Sequence, residues 1–476
     1  KLLVVGPLSA FGPWEDEYES CFGRKPNIKR LVGSMRKAEK SNYFYKNPAE
    51  ITLTSYQSIS SITDDLIYFL KSNKVMVVLD EAHKIKNTEG GLWAETVLKI
   101  SRYCKSRIIL TGTPIPNGFE DLYNLYNFIL PGKNVIRYHL FQLKDMTANG
   151  RDSRIKQLIE NISPFFIRIK KSDLNLPVPK NHPPLIVKMG PAQQEIYSFI
   201  EKSYLNYFED VDKKGGDIKS KLIKARTIRL MQASTNPALL KKPIDQYYEE
   251  QDITDDIFLD DSFILEKIGS YKDSETPQKF IETGKLVNEI LSRNERVIIW
   301  TTFVQNIIDL GEYLKSIGIK SKALYGAVPV DNDKNIDGVE TREKIIRDFH
   351  NPQSSFKVIL ANPFAVSESI SLHKACNNAI YLERTFNAAH FMQSKDRIHR
   401  VGLKPTDTVN YYYIISDESV DSTIHSSLDE KEKRMLAIIE SEPIPLINLN
   451  MDYEDDFTSD FKAIIRDYVI RNKKSQ

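Results

Sequence analysis

The sequence predicts an α/β fold in two lobes, each a parallel sheet covered by helices, with helical insertions and a helical C-terminal tail. Two observations carry that prediction. Strand-length apolar runs alternate with amphipathic stretches over residues 1 to about 130, and the pattern returns from about 276 to 420, as parallel sheets flanked by helices require. Two of the runs end in polar clusters, where an open α/β sheet holds its ligands.

In the first lobe the runs are KLLVV, ITLTSY, VMVVLD and RIILTGT; in the second they are RVIIWT, SKALYG, KVILAN, NAIYLE and VNYYYIIS. Residues 130–275 between them are charged and mostly helical in pattern, with a Pro-rich turn at LPVPKNHPP (176–184) and an acidic stretch around 249–261 read as a solvated loop. The tail after about 428 opens with the charged, helix-like DEKEKRMLAIIE, to which no function attaches. The expected organisation is a first lobe over 1–165, a linker and helical insertion over 166–275, a second lobe over 276–428 and a tail over 429–476.

Bulk properties agree. A chain of 476 residues exceeds what one hydrophobic core usually supports. Hydrophobic residues at 41% and charged residues at 27% are ordinary for a globular protein. The longest apolar runs are too short to span a bilayer, so no membrane is expected among the partners. The N-terminus has no signal-peptide pattern; residue 1 is Lys and an apolar strand starts at once, so the expectation is a truncated chain. Cys21, Cys104 and Cys376 form no CxxC pair, against both a zinc site and a disulfide framework. A formal charge of +2 makes any nucleic-acid surface a local cleft rather than a global field.

Three strings carry chemistry. Asp80-Glu81-Ala82-His83 closes a continuous apolar run, delivering two carboxylates to a strand end. There an acid can hold Mg²⁺ through its water shell and its neighbour can orient an attacking water; Asp80 suits the first role and Glu81 the second. Taken alone, four such letters also fit a surface turn. Thr111-Gly112-Thr113-Pro114 closes a second strand, where hydroxyls could sense a nucleotide or a Gly-Pro turn could simply end the run. Gln393-Ser-Lys-Asp-Arg397-Ile-His-Arg400 places two guanidiniums three residues apart, on one face if the segment is helical. Such a pair suits neutralising a phosphate during transfer, or a solvated face.

In this order, DEAHKIKN, LTGTPIPN and QSKDRIHRVG resemble motifs II, III and VI of the Swi/Snf family within helicase superfamily two. LLVVGPLSAFGPWEDE is similar to motif Ia, with Pro7, Ser9, Trp14 and Glu17 in the family's places; LTSYQSI resembles motif Ib and ERVIIWTTFVQNIIDLGEYL motif IV. The segments FFIRIKKSDLNLPVPKNHPPLIVKMGPAQQEIYSFI and LIKARTIRLMQASTNPALL resemble the family's linker and helical insertion, so the likeness covers residues 1 to about 425. It implies two RecA-like lobes with ATP between them, and double-stranded DNA gripped through its backbone by a DNA-dependent ATPase that translocates along it. Asp80 and Glu81 inherit the Mg²⁺ and water roles, and His83 and Thr111 couple hydrolysis to motion. Gln393, Arg397 and Arg400 reach the nucleotide from the second lobe. Ser9, Ser55, Thr301 and Thr302 match backbone-contacting positions, although each hydroxyl could equally cap a helix or turn.

The sequence also departs from the family. No GxxxxGK[ST] phosphate loop occurs; Gly132-Lys133 and Gly284-Lys285 lack the first glycine and the Ser or Thr. In the family that loop precedes motif Ia, so the expectation is a fragment that neither binds ATP tightly nor hydrolyses it alone, with an incomplete first sheet and an exposed edge. Motif V reads Ala365-Val-Ser-Glu-Ser-Ile-Ser-Leu372 where relatives carry glycines, and Glu368 there would repel phosphate unless turned away. Asp396 resembles the annealing-helicase branch. ESISLHKAC and RTFNAAHFMQS look like prokaryotic members, which implies a cytoplasmic protein, or a nuclear one if the source is eukaryotic. The rival is a catalytically dead DNA- or partner-binding scaffold on the same two lobes.

Overall fold

The computed structural model describes residues 1–33, 35–88, 91–112, 118–149, 152–206, 216–241, 262–329, 340–363, 370–441 and 463–471. Compact packing divides the chain into two units. One is built on Lys1–Lys170; the other is built on residues from Lys171 to Arg434 together with the 463–471 helix.

The first unit is a five-stranded parallel sheet. In chain order its strands are β1 (Leu2–Val5), β2 (Ile28–Leu31), β3 (Ile51–Thr54), β4 (Met76–Asp80) and β5 (Ser106–Leu110), arranged β2-β3-β1-β4-β5. Register is tight around the centre, with Leu2 opposite both Ile51 and Met76. Alternate side chains leave opposite faces. Leu3, Val5, Val77 and Leu79 enter the larger core, beneath helices that include Thr63–Ser72 and Leu92–Ser101. Val4, Leu53 and Val78 meet Phe11 and Val32 on the other face. Both faces are therefore covered, which is why these strands read as unbroken apolar runs. β5 is an edge strand that leaves Ile108 and Leu110 42% and 41% exposed.

The second unit holds a seven-stranded sheet. Its strands are β6 (Lys180–Asn181), β7 (Leu185–Val187), β8 (Val297–Trp300), β9 (Ser321–Leu324), β10 (Val358–Ala361), β11 (Asn378–Tyr381) and β12 (Asn410–Ser416), in the order β6-β12-β11-β8-β10-β9 with β7 also on β12. Every residue of β8, β10 and β11 is buried. Val297, Ile299, Leu360 and Ile380 pack under the Gln278–Ser292 and Val304–Ser316 helices through Val287, Leu310 and Leu314. On the other face Tyr381, Phe391, Tyr411 and Tyr413 form an aromatic layer.

The structure corrects the view of 176–184 as a turn alone. Lys180 N donates to the Val409 carbonyl and His182 N to that of Tyr411, so the segment lies along β12 as edge strand. Pro183 and Pro184, lacking N–H groups, interrupt the ladder before β7 resumes it. Val420–Ser441 is one continuous helix, so the boundary expected near 428 falls inside it. The acidic stretch around 249–261 lies outside the described residues.

Candidate functional site

The chain runs from β1 out to β2 at the edge, back to β3 beside β1, and then crosses to β4 and β5 on the other side of β1. In sheets of this order ligands bind at the carboxyl ends of the strands beside the reversal, here β1 and β4. Gly6 follows β1 and Asp80 ends β4. A Cβ at Gly6 would stand 3.0 Å from that of Asp80, so a larger residue there would have to displace Asp80.

Beyond Asp80 the backbone turns sharply. Glu81 has φ 51° and ψ 50°, the left-handed region that a residue with a Cβ rarely adopts. The strained turn aims the Glu81 side chain at Nδ1 of His83, 3.2 Å away, on the short 3₁₀ turn Ala82–Ile85. Asp80 and Glu81 line a cleft of about 400 Å³ with Thr111 and Gly112 from the end of β5, and with Leu122, Tyr126 and Phe166 on its apolar wall. Burial raises the pKa of Asp80, while the bond from the Trp14 indole opposes the shift. Tyr56 donates its hydroxyl to the Asp80 carbonyl, and its burial and the nearby acids keep that phenol protonated.

Thus Asp80, Glu81, His83 and Thr111 are brought together in the first unit; Thr113 and Pro114 lie outside the described residues. Two carboxylates and a hydroxyl at a cleft mouth are hard oxygen donors, a set that fits Mg²⁺ held through water.

Gln393, Arg397 and Arg400 belong to the second unit. The helix Ala388–Lys395, capped at its start by the Asn387 side chain, carries Gln393. It ends before the arginines: Arg397 sits in the turn that follows and Arg400 in irregular backbone beyond it, not on a helix face. Arg397 bends back, its Nε donating to the Gln393 carbonyl at 3.0 Å and its Nη1 to that of Ile370 at 3.3 Å. Arg400 is exposed. Residues 365–369 of the altered motif V, Glu368 among them, lie outside the described residues.

The four hydroxyls expected to meet a DNA backbone have unequal settings. Ser9 lies in the 3₁₀ turn Leu8–Ala10. Ser55 caps the Tyr56–Ser61 helix, its oxygen accepting from Ser58 N. Thr301 and Thr302 are buried at 0% and 2% exposure, with the Thr301 hydroxyl bonded to the Glu383 carboxylate. The same Glu383 oxygen accepts from Thr302 N at 3.0 Å and from the Asn306 side chain at 3.3 Å, which orders the start of the Val304–Ser316 helix.

Known proteins share this arrangement of sequence. The SNF2-related domain matches residues 1–239 and the helicase conserved C-terminal domain matches residues 282–402. The chain belongs to the SNF2 family. Protein CHROMATIN REMODELING 5 of Arabidopsis thaliana is 26% identical over 447 residues, covering 91% of this chain and 24% of that protein. ATP-dependent helicase fft1 of Schizosaccharomyces pombe is 26% identical over 464 residues, covering 90% and 46%. The chain therefore spans only about a quarter to a half of these curated relatives. Among solved structures it is similar to a Sulfolobus solfataricus SWI2/SNF2 ATPase core in complex with dsDNA, at 23% identity and a TM-score of 0.36, covering 94% of this chain and 85% of that one.

As a member of the SNF2 family the chain carries helicase-like ATPase domains. Trp14 was legible as a motif position without a role, while Tyr56 and Glu383 were passed over. Applied to every strand end, the rule that singled out Asp80 would also have found Asn362, directly after β10, and Glu383, two residues after β11. Among the described residues no helix is long and apolar enough to cross a membrane.

Proposed function

We propose that this SNF2-family chain is the motor portion of an ATP-dependent double-stranded DNA translocase, hydrolysing ATP with Mg²⁺ to move along the duplex. The observation that carries this is the acid pair at the carboxyl end of β4, with Glu81 in a strained turn beside His83. Asp80 would hold Mg²⁺ through its water shell and Glu81 would orient the attacking water. His83 and Thr111 sit where a change in the cleft would be felt. When bound, Mg²⁺ neutralises charge on the phosphate oxygens. Arg397 and Arg400 are the charge-neutralising candidates of the second unit, and Gln393 is a hydrogen-bonding candidate beside them.

Relatives named as an ATP-dependent helicase and a chromatin-remodelling protein support the class. DNA would be held through its backbone and so without strong sequence preference, by segments around Ser9, Ser55, Thr301 and Thr302. The burial of both threonines favours a part for them in holding their turn rather than in direct contact. The cytoplasm of a prokaryote or the nucleus of a eukaryote suits this work. With no phosphate-loop sequence among them, these 476 residues by themselves would hold nucleotide weakly.

The test is ATPase activity of the full-length protein with and without duplex DNA, beside Glu81→Gln. Duplex should stimulate hydrolysis, and the substitution should lower it by about a hundredfold or more. Equal rates with and without DNA would overturn the proposal.

A further inference from the structure

Three donors from three elements hold Asp80. Its Oδ1 accepts from Glu81 N at 2.9 Å and its Oδ2 from the indole Nε1 of Trp14 at 3.0 Å, while its carbonyl accepts from the Tyr56 hydroxyl at 2.9 Å. Trp14 stands on the Phe11–Phe22 helix, which follows β1, and its ring packs against the cluster of Val4, Phe11, Val32 and Val78. A ring pinned in this way has little freedom, and its N–H can only donate. Each carboxylate oxygen has one lone pair occupied and others left over, so the group keeps acceptor capacity while losing the freedom to swing.

We infer that Trp14 is a positioning residue for Asp80, fixing the orientation in which that carboxylate takes up Mg²⁺ with nucleotide. This rests on the function proposed above. Donors that orient a metal-ligating carboxylate typically contribute on the order of tenfold or more to metal affinity. Neither Glu81 N nor Tyr56 replaces the indole, because one binds the other oxygen and the second binds only the backbone.

The experiment has a spectroscopic arm and a kinetic one. Trp14 is one of three tryptophans in these 476 residues, and in ¹⁵N-indole spectra of the full-length protein the resonance lost in Trp14→Phe is its own. Asp80→Asn, which leaves Trp14 in place, should shift that resonance more than any other indole. In steady-state hydrolysis, Trp14→Phe should raise the half-saturating Mg²⁺ concentration by roughly tenfold, with a smaller change in kcat at saturating Mg²⁺. A spectrum in which no indole resonance responds to Asp80→Asn overturns the inference, even if Trp14→Phe fails to fold. So does a folded Trp14→Phe protein with the native Mg²⁺ dependence, and in both cases the proposed function stands. Glu81→Gln hydrolysing ATP at the native rate removes the proposed function, and the inference falls with it.

Discussion

Lys279 Nζ stands 2.5 Å from Asp421 Oδ2, with only 1% and 8% of the two side chains exposed. The lysine also donates to the Leu382 carbonyl, and the aspartate accepts from Ser234 Oγ and Ser416 N. Removing one partner leaves a buried charge uncompensated. Lys279→Met should therefore cost about 3–5 kcal/mol. Adding Asp421→Asn should recover part of that loss, since the amide oxygen still accepts from Ser416 N. Urea denaturation of the two single variants and the double one measures the coupling, and strictly additive losses would contradict it.

His425 Nδ1 lies 2.7 Å from Arg384 Nη2, and since a guanidinium only donates, the ring is neutral with its proton on Nε2. Burial, and then the guanidinium, push its pKa down from 6.5 to about 4. Below the unfolded value the unfolded chain binds the extra proton while the folded one does not. Stability should then fall as pH drops from about 6.5 towards about 4. In His425→Gln that part of the slope should disappear, as denaturant midpoints across this range will show.

Glu81 occupies left-handed backbone at φ 51°. Glycine adopts that conformation without steric cost, whereas alanine keeps the Cβ clash. Glu81→Gly should be more stable than Glu81→Ala by about 1 kcal/mol, measured by thermal or denaturant unfolding. Both should lack ATPase activity. If alanine proves the more stable, the turn is not strained as described.

Arg397 and Arg400 should separate stability from activity. Arg397→Ala removes bonds to the Gln393 and Ile370 carbonyls and should cost about 1–2 kcal/mol. Arg400 is exposed, so Arg400→Ala should change stability by less than about 0.5 kcal/mol. On the proposed function it should still abolish hydrolysis in the full-length protein. Retention of activity by Arg400→Ala would remove that residue from the site.

The legibility of the fold followed burial. β4 and β8 read plainly as strands because both faces are covered and nearly every position must be apolar. β2, with the sequence IKRL, was missed because it is an edge strand whose polar side chains remain half-buried. β6 and β7 were missed because Pro183 and Pro184 interrupt a strand that only β12 holds in place. At the site, Asp80 and Thr111 were found by one local rule, a polar group ending an apolar run. Glu383 obeys the same rule two residues past β11, and its carboxylate is bonded to the Thr301 hydroxyl.

The amino-acid sequence by itself determined the class of fold, the family and the chemical kind of group at each strand end. All of these depend on residue type and spacing over a few neighbouring positions. Tertiary structure decided which partners those groups meet: that Trp14 donates to Asp80 from 66 residues away, that Ser55 is spent on capping and Thr301 on Glu383, and that Arg397 folds back while Arg400 stays open. A hydrogen bond is satisfied by whatever packing brings within about 3 Å, and packing is set by the whole core rather than by the local string.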